Sequence, residues 1–130
     1  MNAEYDELIQ HLKGIREIVI NVCHGGFELS YKARLLYLNL SLIEYTTQDQ
    51  VSRNDTEKFG PIIIVNGEEW ENRDLRRDDP VLITVVKSLG PESWGRFSKL
   101  KIVKIPDNIG WEIEETNGYE WVSEAHRRWY

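Results

Sequence analysis

The sequence predicts a single α+β domain over residues 1–130, built on a mixed, mainly antiparallel sheet of about five to six strands with three helices packed on it. Helical and strand segments interleave without the regular strand-helix alternation of a parallel sheet. Two Asn-Gly pairs, each between strand-like runs, are typical of two-residue hairpin turns. With 41% hydrophobic and 29% charged residues, the composition is that of a globular protein.

The N-terminal part predicts a helix, a buried strand and a second helix. Apolar residues at helical spacing behind an acidic first turn predict a helix over about Ala3 to Lys13. Ile15 to Cys23 carries Ile18, Val19, Ile20 and Val22 almost without a polar break, which favours a central strand covered on both faces. After a turn at residues 24–26, Ser30 can cap a helix that runs to about Leu42. Its inward residues at helical spacing are Ala33, Leu36, Tyr37 and Leu40.

A loop and a hairpin follow. Residues 44–60 are polar and without period, which predicts a long loop. Pro61 to Val65 is a β-branched run, and Asn66-Gly67 is a strong signal for a two-residue turn. Glu68 to Arg73 should therefore return antiparallel to it.

The C-terminal part predicts a third helix, a strand and a second hairpin. Asp79 before Pro80 supplies an N-cap and a first helical residue, and Gly90-Pro91 closes the helix. Ser98 to Ile105 is strand-like, with its lysines outward. Trp111 to Val122 forms a hairpin around Asn117-Gly118.

A two-residue turn fixes the register of that second hairpin. Glu114 then faces Trp121, and Ile113 faces Val122. The face opposite to Ile113 carries Glu112, Glu114, Tyr119 and Trp121. Two aromatic residues on a normally wet face need a cover, which can be a helix of the same chain, a subunit interface or a stacked ligand. A longer, bulged turn would instead shift the register by one and turn Trp121 inward.

Charge and cysteine content limit the function classes. The formal charge of −6 argues against non-specific binding of long DNA or RNA. Cys23 is the single cysteine, so no intrachain disulfide is available and a reducing compartment is expected. No segment resembles a signal peptide or reaches membrane-spanning length, so we expect a cytoplasmic protein without membrane contact.

Three groups of residues are candidates for ligand binding. His24, Gly25, Gly26 and Phe27 lie between a buried strand and a helix, where backbone N–H groups can bind phosphate; the alternative is a simple tight turn. Arg73, Arg76 and Arg77 can clamp phosphate; the alternative is that Arg76 or Arg77 pairs with Asp78 or Asp74 on the surface. Aromatic-basic residues that can stack bases and hold phosphates, or anchor a protein interface, are Trp94, Arg96, Trp121, His126 and Arg127.

Enzymatic motifs are weak. Cys23 and His24 are adjacent in a strand and point to opposite faces, so they are poorly placed as nucleophile and base. The glutamates of the last hairpin, Glu120 among them, alternate as on a solvated strand face. Cys and His residues lack zinc-site spacing. We predict no catalytic residue, no metal and no cofactor, and we lean against an enzyme.

Several segments together resemble a family of small uncharacterised proteins in phage and large-DNA-virus genomes. The resemblance covers most of the chain except residues 44–60. Its segments are NVCHGGFELS at 21–30, RDDP at 77–80, LKIVKIPD at 100–107, WEIEE at 111–115, GYEWV at 118–122, and His126-Arg127 with Trp129. It implies a setting in the cytoplasm of a host cell and supplies no site residues.

That setting implies an anti-defence protein, with three hypotheses for its action. The first is a homo-oligomer that sequesters a nucleotide-derived immune signal without cleaving it, for which we expect arginines, aromatics and the Gly-Gly turn to converge in a pocket. The second is a protein-binding inhibitor of a host defence factor, which a flat aromatic patch would favour. The third is a hydrolase of such a signal, with His24 or His126 paired to a carboxylate in a cleft.

Overall fold

The computed structural model describes residues 14–49 and 60–125. The described strands are β1 (Ile15–Asn21), β2 (Thr46–Gln48), β3 (Ile62–Val65), β4 (Glu68–Glu69), β5 (Leu100–Pro106), β6 (Trp111–Thr116) and β7 (Tyr119–Glu124). The described helices are α1 (Tyr31–Leu40) and α2 (Pro80–Leu89), with 3₁₀ turns at Asn72–Asp74 and Gly90–Ser93. The α+β class is confirmed. The helix predicted over Ala3 to Lys13 lies outside the described residues.

The strands form three antiparallel sheets where one mixed sheet was predicted. Their orders are β1-β5, β2-β3-β4 and β6-β7. The seven described strands exceed the predicted five to six, and every pair among them is antiparallel. The prediction of a single sheet was wrong. A turn and the side-chain pattern specify the pairing within each hairpin, but they do not specify which hairpins become neighbours.

Strand β1 is buried as predicted, although it pairs with β5 alone among the described strands. Ile18 and Val19, which point to opposite faces, are both fully buried. The second edge of β1 is covered by other groups. The Val19 amide donates to the Arg77 carbonyl at 2.8 Å, and the Asn21 amide donates to Glu120 Oε1 at 2.8 Å.

Helix α1 begins where the sequence predicts and ends two residues earlier. The Ser30 hydroxyl oxygen accepts a hydrogen bond from the Ala33 amide at 3.1 Å. The prediction that Leu40 points inward was wrong, because Leu40 is 47% exposed while Leu38 is fully buried. The buried face is rotated toward Leu38, so the apolar spacing alone did not identify it.

Helix α2 confirms the predicted cap and the predicted end. Asp79 Oδ1 accepts from the Val81 amide at 2.8 Å, and Asp79 Oδ2 accepts from the Tyr37 hydroxyl at 2.6 Å. Burial of the phenol, with help from the Asp79 carboxylate, raises the pKa of Tyr37 to about 12. The Tyr37 ring also stacks on Trp70 at a centroid distance of 6.0 Å. The capping carboxylate therefore joins the two helices.

The turn of the first hairpin is confirmed, but its returning strand is only Glu68–Glu69 where Glu68 to Arg73 was predicted, because a 3₁₀ turn follows at Asn72–Asp74. The predicted loop before the hairpin also needs correction. Asn66 has φ 53° and Gly67 has φ 81°, as a type I′ turn requires. Within residues 44–60, Thr46–Gln48 pairs with β3 as an additional strand. All three of its residues are exposed, so backbone pairing with β3 forms this strand and no alternating pattern announces it.

Neither α-helix in the described ranges has the length and apolar character needed to cross a bilayer.

Candidate functional site

The β6–β7 hairpin has the register predicted from its two-residue turn. Asn117 has φ 51° and Gly118 has φ 87°. Glu114 is paired with Trp121, and Ile113 with Val122. The two faces of the hairpin therefore carry the predicted residues.

One face of this hairpin is open and aromatic. We call it the hairpin aromatic face, and it consists of Glu112, Glu114, Tyr119 and Trp121. Tyr119 is 40% exposed and Trp121 is 41% exposed, so the described chain leaves this face accessible. The Trp121 indole N–H donates to Glu114 Oε2 at 2.9 Å, which tilts the ring across the strand pair toward β6. Glu112 and Glu114 are themselves exposed.

The turn at residues 24–26 lies directly against this hairpin. The exposed His24 ring is 5.5 Å from the Tyr119 ring, centroid to centroid. A Cβ added to Gly118 would lie 2.6 Å from the Gly26 nitrogen, and one added to Gly25 would lie 1.9 Å from the Phe97 carbonyl oxygen. These glycines therefore allow close packing of the turn on its neighbours, as the tight-turn alternative requires.

Asn21 holds the turn and the hairpin together. Asn21 is fully buried, and its side-chain Nδ2 donates to the Cys23 carbonyl at 2.6 Å and to the Gly118 carbonyl at 2.8 Å. Its side-chain oxygen accepts from the Lys99 amide at 3.0 Å. Our sequence analysis missed this residue, because an asparagine at the end of a buried strand carries no motif. Its position in an apolar run was the available signal, since buried polar groups require partners.

Arg77 and Phe27 are brought together, with Glu120 as a third member. The Arg77 guanidinium makes a bidentate ion pair with Glu120 at 2.6 and 2.9 Å and lies 3.6 Å from the Phe27 ring centroid. The Arg77 and Glu120 side chains are only 17% and 10% exposed. The interpretation of Glu120 as part of a solvated face was wrong, because its side of the hairpin turns toward β1. Arg77 thus has a structural partner in place of a phosphate.

The other predicted arginine of this pair is held at the protein surface. Arg76 Nη2 contacts Asp78 Oδ2 at 3.0 Å, and Arg16 Nη1 contacts the same oxygen at 2.9 Å. The Arg76 side chain is 80% exposed, while that of Asp78 is 5% exposed. Arg76 therefore pairs with Asp78, which is the surface pairing that the sequence predicted as the alternative to a phosphate site.

The remaining predicted site residues are divided between the core and the surface. Trp94 bridges Leu29 through the backbone and packs against the core. Arg96 is exposed, with its guanidinium 5.7 Å from the Phe97 ring. His126 and Arg127 lie outside the described residues. His24 and Gly26 therefore lie against the β6–β7 hairpin that carries Trp121, whereas Trp94 packs against the core.

Two open depressions of about 600 Å³ occur elsewhere. One is lined by Glu69, Trp70, Glu71, Arg73, Asp74 and Leu75; the other is lined by residues at the end of α1, on β2 and on the first hairpin. Arg73 is the one arginine of the predicted phosphate clamp that lines either of these two depressions.

Of the two histidines considered for a hydrolase, His24 lies in the described residues and His126 lies outside them. His24 contacts an aromatic ring, and no carboxylate is paired with it in residues 14–49 and 60–125. The same ranges hold no group of three His, Cys, Asp or Glu residues that could bind a metal. The hairpin aromatic face presents exposed aromatic and acidic side chains.

Comparison with models of known protein families, with curated proteins and with solved structures found no match. The resemblance to phage and large-DNA-virus proteins therefore stays a prediction.

Proposed function

We propose that this protein binds another protein through the hairpin aromatic face, and that it acts as an inhibitor of a host defence factor. The observation that carries the proposal is the exposure of Tyr119 and Trp121, at 40% and 41%, on one face of a two-stranded hairpin. Tyr and Trp contribute large contact areas at small entropic cost and are enriched among the residues that dominate protein interfaces.

The charges around these aromatics favour a protein over a phosphate-bearing ligand. Glu112 and Glu114 are exposed on the same face, and the whole chain carries a formal charge of −6. The guanidinium of Arg77 is already neutralised by Glu120. A nucleotide phosphate placed on this face would meet carboxylates, whereas a partner with basic side chains would be attracted.

The support beneath the face favours binding with little rearrangement. Asn21 connects β1 to the turn of the hairpin, and the Arg77–Glu120 pair fixes β7 against β1. A surface held by buried polar contacts loses little conformational entropy on association. The hairpin is therefore a preorganised platform.

The test compares partner capture by the tagged full chain and by two matched variants. Trp121→Ala removes an exposed aromatic side chain from the face, and Leu42→Ala removes an apolar side chain that is 91% exposed at the end of α1. Proteins recovered with the wild type and with Leu42→Ala, but lost with Trp121→Ala, are identified and titrated in purified form. We expect Trp121→Ala to weaken binding by about thirtyfold, the effect of a hot-spot residue of roughly 2 kcal/mol. Equal binding by Trp121→Ala would contradict the proposal.

The second candidate function is sequestration of a nucleotide-derived signal. It is favoured by the ring surfaces of Trp121 and of the His24–Tyr119 pair, which can stack a base, and by the 80% exposed Arg76 side chain. The test is a thermal-shift screen against cyclic dinucleotides, cyclic trinucleotides and ADP-ribose derivatives. A ligand at a hundred times its dissociation constant stabilises the fold by about 2.7 kcal/mol.

Recovery of the ligand separates sequestration from hydrolysis. Release of intact ligand after heat denaturation would support the second candidate, and a cleaved product would identify a hydrolase. Sedimentation of the protein with and without the ligand tests the predicted homo-oligomer.

A further inference from the structure

We propose that β6 is the strand at which the partner docks, by adding an extended basic segment antiparallel to its outer edge. This inference rests on the proposed function and specifies the chemistry of the partner. Strand addition of this kind obtains affinity from backbone hydrogen bonds and specificity from alternate side chains.

The outer edge of β6 has its backbone groups in place for such pairing. In the part of the chain that the structure describes, β6 pairs with β7 only. The Ala125 amide donates to the Gly110 carbonyl at 3.0 Å, which continues the β6–β7 hydrogen-bond ladder. This bond identifies which residues of β6 direct their backbone groups toward β7 and which direct them outward. Residues two apart from Gly110 therefore bond to β7, and the N–H and C=O groups of Trp111, Ile113 and Glu115 point outward.

The second edge of the hairpin is not equivalent. On β7, the Glu120 carboxylate accepts a hydrogen bond from the Asn21 amide of β1 at 2.8 Å, and β7 is the strand of this hairpin that packs against β1. In this hairpin β6 is the strand whose edge faces away from that contact. An added strand would extend the sheet from two strands to three.

Charge selects the kind of strand that fits. Glu112 and Glu114 project from the hairpin aromatic face, and Glu115 projects from the opposite face. Like charges on directly opposed cross-strand residues destabilise a sheet, whereas opposite charges stabilise it. A second copy of β6 would place glutamates near glutamates on a chain of formal charge −6, so we assign the edge to a basic segment of a different protein.

The two faces of the hairpin also predict the alternation of that segment. On one face Glu112 and Glu114 would receive Lys or Arg side chains, and the Trp121 indole leans toward Glu114 through their 2.9 Å hydrogen bond. A cation bound at Glu114 would therefore lie near an aromatic ring, which adds a cation–π contact. On the other face, the partly buried Trp111 and Ile113 would receive apolar side chains.

The experiment measures fluorescence anisotropy with labelled seven-residue peptides and the full chain. The principal peptide alternates lysine and valine, and its matched control alternates glutamate and valine. In antiparallel pairing the backbone nitrogens of the valines, which share the face of Ile113, point toward β6. Two further lysine-valine peptides carry N-methyl groups on the valine nitrogens or on the lysine nitrogens, so that they differ in backbone donors and share their charge.

We expect the lysine-valine peptide to bind, the glutamate-valine peptide not to bind, and methylation of the valine nitrogens alone to abolish binding. Glu112→Lys should weaken binding of the basic peptide by about tenfold through charge reversal at the edge. Glu92→Lys makes the same change in net charge at a side chain that is 68% exposed on the Gly90–Ser93 turn, and it should leave binding unchanged.

Other outcomes overturn the inference in distinct ways. Equal binding of both methylated peptides would mean that charge acts without strand pairing, and loss with lysine methylation alone would mean that the pairing is not antiparallel. Binding of the acidic peptide, no binding of any peptide, or a dimer that forms through β6 in sedimentation experiments would each remove the basic partner. If Trp121→Ala still loses the captured protein while the peptides fail, the proposed function stands and the β6 docking mode does not.

Discussion

Replacing Glu120 by alanine would remove the carboxylate that holds β7 against β1. That carboxylate accepts two hydrogen bonds from Arg77, at 2.6 and 2.9 Å, and one from the Asn21 amide at 2.8 Å. The variant leaves the Arg77 side chain, which is only 17% exposed, without its anion. Breaking one side of a buried ion pair costs about 3 kcal/mol, and a buried amide without an acceptor costs about 1 kcal/mol more.

We therefore expect Glu120→Ala to lose about 3 to 4 kcal/mol of unfolding free energy, a large part of the roughly 5 to 15 kcal/mol typical of a domain. The assay is urea unfolding followed by tryptophan fluorescence, with the slope checked for two-state behaviour. Glu112→Ala is the matched control, because it removes an exposed glutamate from the same hairpin and should change stability by less than about 0.5 kcal/mol.

A double-mutant cycle with Arg77→Leu separates the ion pair from other effects. Glu120→Ala should cost less in the Arg77→Leu background than in the wild type, with a coupling energy above about 1 kcal/mol. A loss below about 0.5 kcal/mol for Glu120→Ala, or additivity in the cycle, would refute the structural role given to this pair.

Three further predictions concern the helices and the turn. Because the folded pKa of Tyr37 is about 12, above its ordinary 10.0, the stabilisation from the protonated phenol is complete below pH 10 and is lost as pH rises through 12. In urea unfolding, the wild type should therefore lose more unfolding free energy between pH 8 and pH 11 than Tyr37→Phe does. Equal losses in the two proteins would contradict this. At pH 8 the same substitution should cost about 1 to 3 kcal/mol, since it leaves one oxygen of Asp79 without the hydroxyl donor; a cost near zero would argue against that bond. Gly25→Ala should lower the thermal midpoint in circular-dichroism melts more than Gly26→Ala. A Cβ at Gly25 would lie 1.9 Å from the Phe97 carbonyl oxygen, whereas a Cβ at Gly26 would meet open space and only the φ of 90° would oppose alanine. The reverse order of the two midpoints would refute the packing of this turn.

Local signals in the sequence accounted for much of the fold. Asn117-Gly118 fixed the register of the second hairpin, because a type I′ turn requires positive φ at both residues. Ser30 and Asp79 marked the helix starts, since each side chain caps its own helix within three residues. The position of Trp121 on the face opposite to Ile113 followed from the same turn and from strand alternation.

Contacts between distant segments were not predictable in the same way. Arg77 and Glu120 are 43 positions apart, and the sequence around either residue gives no sign that the other is its partner. The sequence paired the arginines with nearby aspartates, which holds for Arg76 and Asp78 because they are two positions apart. Thr46–Gln48 became a strand through an exposed edge of β3, where backbone pairing replaces side-chain pattern.

The most direct test of the central claim is backbone amide hydrogen exchange of the full chain, with and without the partner selected by loss of binding to Trp121→Ala. Binding at the hairpin predicts slower exchange at the outward amides of Trp111, Ile113 and Glu115, with Leu42 and its neighbours unchanged. Protection confined to the α1 end around Leu42, or no change in β6 and β7, would contradict a function located on the hairpin aromatic face.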